Sequence, residues 1–112
     1  MGGIIRHIPA ESVFAMADQV NYLPGQIVSK TLAQNGAVSL TVFAFDKGEE
    51  ISSHESTGDA MITVLEGTAE ITVDGKKYTV KGGESILMPA QKPHAVYAAE
   101  AFKMFLTVVF PK

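Results

Sequence analysis

Two stretches decide how this chain is read: Gly48-Glu-Glu-Ile-Ser-Ser-His54-Glu-Ser-Thr-Gly-Asp-Ala-Met-Ile-Thr-Val-Leu-Glu-Gly67 and Gly83-Glu-Ser-Ile-Leu-Met-Pro-Ala-Gln-Lys-Pro-His94. Each opens on a glycine, which permits a tight turn. Each carries one histidine, and the second holds Pro89 where a short apolar run stops. Between them, Ala69, Ile71 and Val73 alternate with Glu70, Thr72 and Asp74, the period of a strand with one buried face. Asp74-Gly75 is a strong hairpin signal, because both residues tolerate positive φ.

The same reading extends over the rest of the chain. Gln26 to Gln34 and Ala37 to Asp46 read as strands around Asn35-Gly36, a pair that predicts a type I′ turn with positive φ at both residues. Further strands are expected over 60–66, 68–73, Lys76–Lys81, Ile86–Met88, Ala95–Ala98 and Phe102–Phe110. Glu49 and Glu50 read as part of a polar loop before His54. Near the N-terminus, Val13, Met16, Ala17 and Val20 form an i, i+3, i+4, i+7 stripe. With Pro9 and Ser12 as start signals, a short amphipathic helix of about three turns is expected. Residues 1–25 therefore read as a helix and arm, and 26–112 as one β domain. Many short strands with close turn signals argue for an antiparallel sandwich or barrel.

The order and spacing of the two quoted stretches resemble the two motifs of the cupin superfamily, in its small, stand-alone cupin 2 (RmlC-like) form. Gly48, His54 and Gly67 stand at first-motif positions, and Gly83, Pro89 and His94 at second-motif positions. Ser56 replaces the second histidine of the first motif, Ala60 its glutamate, and Gln91 the inner glycine of the second motif. The resemblance spans roughly residues 26 to 110 and implies an all-β fold: an antiparallel jelly-roll barrel, or double-stranded β-helix, preceded by the short N-terminal helix. It also implies that His54 and His94 occupy metal-ligand positions, and that Ser56, Asp59, Ala60, Ile62, Val64, Met88, Gln91 and Val96 line one mainly aliphatic cavity.

In the family, three histidines and a glutamate hold one divalent metal. Such a donor set suits Fe, Mn, Ni, Cu or Zn and leaves positions open for substrate. Here alanine offers no donor, and a serine hydroxyl is a poor ligand at neutral pH. A protein site with at least three protein ligands is the norm. Three readings of the histidines stay open. A metal binds through His54, His94 and a substitute group plus waters: Asp59 precedes the Ala60 slot and swings in only if Gly58 bends the loop, while Glu55 points away from His54 if the segment is extended. Alternatively, no metal binds and the two imidazoles contact a small organic molecule directly. As a third possibility, both are ordinary buried polar groups. The expected function is small-molecule binding. The alternatives are a metal-dependent oxygenase or isomerase with a reduced ligand set, and a non-catalytic sensor or dimerising scaffold.

Composition narrows the partners. The chain has 112 residues, a formal net charge of −3, and basic residues scattered singly except at Lys76-Lys77. That is no footprint for nucleic acid, which calls for a clustered basic face. There is no cysteine, hence no disulfide, thiolate ligand or cysteine nucleophile. No apolar run approaches the ~20 residues that span a bilayer, and the N-terminal residues show no signal-peptide pattern. A cytoplasmic protein is expected. A homodimer is expected too, from the family habit and from a last strand apolar on both faces: Met104, Leu106 and Val108 on one, Phe105 and Val109 on the other. His7 reads as a surface or packing residue. Met61, Met88 and Met104 read as core or pocket fillers.

Overall fold

A computed structural model describes residues 4–111. Nine strands follow in order: β1 (Ile27–Gln34), β2 (Val38–Phe45), β3 (Glu50–His54), β4 (Asp59–Glu66), β5 (Thr68–Val73), β6 (Lys76–Lys81), β7 (Ser85–Met88), β8 (His94–Tyr97) and β9 (Phe102–Val109). They form two sheets, ordered β1-β2-β9-β4-β7 and β3-β8-β5-β6, with every pairing antiparallel. The strand order jumps along the chain in both sheets, the signature of a jelly roll. The strand expectations hold within a residue or so, except β3, whose polar sequence read as loop.

Alternation puts one face of each strand in a shared core. On β4, Ala60, Ile62 and Val64 are buried while Met61 faces out. On β5, Ala69 and Ile71 are buried against them. Phe45 and Phe102 are direct cross-strand partners and stack with ring centroids 4.7 Å apart, a pairing that adds to the burial of their area. Met88 and Met104 fill this core as expected. Met61 does not; it lies on the outer face of the five-stranded sheet and is substantially exposed.

The two hairpin signals diverge. Asp74 and Gly75 take φ of 50° and 82°, as a type I′ turn requires. Asn35 and Gly36 do not enter the positive-φ region. The register of this hairpin is offset by a bulge in β1. Thr31 faces Thr41 but Ala33 faces Leu40, so Leu32 is an extra residue. That slip moves the turn centre to Gly36-Ala37, closed by Asn35 N–H donating to the Val38 carbonyl (2.9 Å). The Asn35 side chain instead accepts from the Ala37 and Val38 amides, at 2.8 and 3.0 Å, an Asx-turn role. At Gly67 the fold needs glycine twice over. Its φ is 78°, and a Cβ would stand 2.5 Å from the Ala101 carbonyl oxygen.

The N-terminal helix is much shorter than the expected three turns. Only Met16–Gln19 wind, as a single 3₁₀ turn, and Val13 is fully exposed. Its first residue has no side-chain cap, and a short helix cannot recover its nucleation cost without tertiary support. The support found here favours the short form. Buried Lys103 of β9 reaches out to donate from Nζ to the Ala17 carbonyl (2.6 Å), and that carbonyl would otherwise serve a longer helix. Met16, Val20 and Tyr22 pack with Val42, Ala44 and Phe105 in a second cluster on the outer face of the larger sheet. The apolar outer side of β9 is thus covered in part by the chain's own N-terminal segment. No helix among the described residues is long and apolar enough to cross a membrane.

Candidate functional site

The two histidines meet across β3 and β8. His54 and His94 are direct cross-strand partners, and their rings stand edge to face with centroids 4.2 Å apart. Simple strand parity would not have put them there. Ile51 pairs with Val96, so an unbroken ladder would give the inward face after Ile51 to Ser53. The register slips between Ile51 and His54: Ser52 and Ser53 span a step that Ala95 alone spans on β8. A bulge of this kind re-aims the side chains beyond it. His54 is thereby brought to the side of β8 that carries His94 and Val96.

Each imidazole is held the same way. His54 Nδ1 lies 3.0 Å from the Ser52 carbonyl oxygen, and His94 Nδ1 lies 3.2 Å from the Lys92 carbonyl oxygen. A carbonyl only accepts, so each Nδ1 carries the hydrogen and donates. In the neutral ring the lone pair then sits on Nε2, free of any protein partner among the described residues. His94 is buried and His54 is exposed. Burial, followed by the neighbouring His54, holds the His94 pKa below its ordinary 6.5, against the opposite pull of the Lys92 carbonyl. His94 is therefore neutral at physiological pH and presents an acceptor.

The remaining positions fall into three groups. Ala60, Ile62, Val64, Met88 and Val96 are buried together in the main core cluster. Ser56 is half-buried; its hydroxyl oxygen accepts from the Gly58 amide (3.1 Å), and its carbonyl accepts from the Gln91 amide (2.8 Å). Gln91 is exposed and held at φ 64°, so the residue replacing the inner glycine keeps a glycine-like backbone. Asp59 is exposed, and its Oδ1 accepts from the Ala90 amide at 2.8 Å. The swing of Asp59 toward the histidines is not seen. Gly58 is instead packed so tightly that a Cβ there would collide with the Val109 carbonyl.

A transition-metal centre of the family kind does not fit these residues. Ala60 has no donor atom, Ser56 Oγ and Asp59 Oδ1 each accept from a backbone amide, and no group of three or more His, Asp or Glu side chains converges among the described residues. Two imidazoles fall short of the three protein ligands usual for a metal site.

Two antiparallel sheets closed over one core, with a histidine from each motif at one end, define the cupin class. The chain belongs to that family: the cupin-domain family model matches residues 41–110. Among solved structures it is similar to a conserved protein of unknown function from Streptococcus pyogenes, with TM-score 0.96 and 46% identity over 99% of this chain and 97% of that one. It is also similar to a cupin superfamily protein from Desulfitobacterium hafniense, with TM-score 0.91 and 30% identity over 96% of this chain and 98% of that one. A 48-residue stretch is 38% identical to part of a 5-nitrosalicylic acid 1,2-dioxygenase from Bradyrhizobium sp, covering 43% of this chain and only 23% of that enzyme.

The sequence reading missed two features of the site. The β3 bulge carries no residue signature, since Ser52-Ser53 is compatible with any extended or loop conformation. The two orienting groups are main-chain carbonyls, which every residue has. Only the spacing to His54 and His94 two residues later could have drawn notice to them.

Proposed function

We propose that the protein binds a small organic molecule at the histidine end of the barrel. The His54 and His94 Nε2 atoms accept hydrogen bonds from its hydroxyl or N–H groups, with Ser56 and Gln91 flanking the site and the packed core of Ala60, Ile62, Val64, Met88 and Val96 behind it. The observation that carries the reading is the matched orientation of the two rings. Each Nδ1 is committed to a backbone carbonyl, and each Nε2 is left without a protein partner among the described residues. A few convergent polar groups set against apolar side chains are the usual make-up of such a site. The incomplete donor set makes this a metal-free reading. We further propose that two copies associate through the outer face of the larger sheet, where Met61, Leu87 and Val109 remain exposed beyond the area the N-terminal segment covers.

The test is an NMR screen of hydroxylated small molecules against protein purified without chelator, with metal content measured alongside. Hits that move the imidazole nuclei of His54 and His94, and that are lost in His54→Gln and His94→Gln variants that still fold, support the reading. Stoichiometric metal retained through gel filtration would contradict it, as would hits that bind equally well to both variants.

A further inference from the structure

Beside the histidine end, the β5–β6 hairpin and β7 enclose a groove of about 470 Å³, within the size range of small-ligand sites. It lies where the sandwich is not sealed by hydrogen bonding, because β6 ends one sheet and β7 ends the other. Val73 and Ile86 form its apolar wall, and both pack against the main core. The Tyr78 ring adds an aromatic side.

The polar groups are of mixed charge, with cations in excess. Asp74 and Lys92 both line the groove and pair with each other at 3.7 Å. Lys76 also lines it and forms no ion pair among the described residues; its Nζ lies 5.4 Å from the centroid of the Tyr78 ring. Two lysines against one aspartate leave one uncompensated positive charge, on a chain whose net charge is −3. An apolar wall beside an unpaired ammonium suits a ligand with the same two parts.

We propose that this groove binds a small organic carboxylate, with Lys76 holding the carboxylate and Val73, Ile86 and Tyr78 holding an aromatic or branched apolar body. The inference goes beyond the histidine site and does not depend on it, although the two adjoin. Val73 is the cross-strand partner of His94, and Lys92 carries the carbonyl that orients the His94 ring.

The experiment is a ¹H–¹⁵N titration with benzoate, and with benzamide as its neutral isostere, on the full chain at low salt. Benzoate is expected to shift the amides of Val73, Lys76 and Tyr78 and to bind at least about tenfold more tightly than benzamide, the scale of one charge-assisted contact. Lys76→Gln should remove that preference without lowering the melting temperature, since Lys76 is exposed. Shifts at the groove with the imidazole nuclei unmoved support the groove whatever becomes of the histidine reading. Shifts at the imidazoles alone, at neither place, or at the groove equally for benzoate and benzamide would overturn it.

Discussion

Gln91 shows how a departure from the family pattern is accommodated at a single residue. Its φ of 64° lies in the left-handed region, where a side chain with a Cβ is strained by about 1 kcal/mol or more. The strain persists because the Gln91 amide is fixed to the Ser56 carbonyl, which ties the two motif loops together at two of the three substituted positions. Gln91→Gly is therefore expected to stabilise the fold by roughly 1 kcal/mol, read as a higher denaturation midpoint; an unchanged or lower midpoint would show that the Gln91 side chain contributes more than it strains. At this scale much was legible. Gly67 and Asp74-Gly75 sit where their backbone freedom is used. Asn35-Gly36 misled because the turn position depends on the pairing register, offset by the bulge at Leu32, which local propensity cannot report.

At the scale of elements, β3 and the N-terminal segment were the least legible parts, for opposite reasons. β3 is a polar edge strand, so it lacks the apolar alternation that reveals a half-buried strand. The N-terminal segment has a helical apolar stripe, but tertiary contacts override it. Lys103 is the anchor. It donates to the Ala17 carbonyl and lies 5.0 Å from the centroid of the Tyr22 ring, whose hydroxyl donates to Glu66 at 2.7 Å. Burial, then that bond to the Glu66 carboxylate, raises the Tyr22 phenol above its ordinary pKa, so it stays protonated and able to donate. Lys103→Met removes the donor while keeping most of the volume. It is expected to cost about 1–3 kcal/mol and to speed amide hydrogen exchange over residues 16–22, with β4 and β5 still protected. Unchanged exchange in that segment would show that apolar packing alone holds it.

For the whole molecule, pH dependence follows from His94. As the pH falls below 6.5, the unfolded chain protonates this residue while the folded one keeps it neutral for longer. The unfolded state then binds more protons, so unfolding free energy rises with pH in that window and acidification destabilises the fold. His94→Gln should show a shallower loss of melting temperature below pH 6.5 than the natural chain; parallel curves would argue against the depressed pKa. The proposed association is tested at the same scale. Light scattering across a concentration series is expected to give the mass of two chains, and Met61→Lys with Leu87→Lys to give one; a natural chain that stays monomeric throughout would refute the pairing. Turn signals and strand alternation carry the sequence reading as far as an antiparallel sandwich or barrel, and the resemblance of the two motifs to those of cupins supplies the jelly roll. The site could be read only as two ligand positions retained and two lost. Its working geometry depends on a bulge and two main-chain carbonyls, and neither is encoded in residue type.

The central claim is that both rings are fixed through Nδ1–H to a backbone carbonyl, with Nε2 left for a ligand, and that His94 is neutral. A long-range ¹H–¹⁵N spectrum of the histidine side chains at pH 7, on metal-free protein, reads this directly. Both rings are predicted to carry the Nδ1 proton, and His94 to show an unprotonated Nε2. The opposite tautomer on either ring, or an imidazolium at His94, would contradict the account.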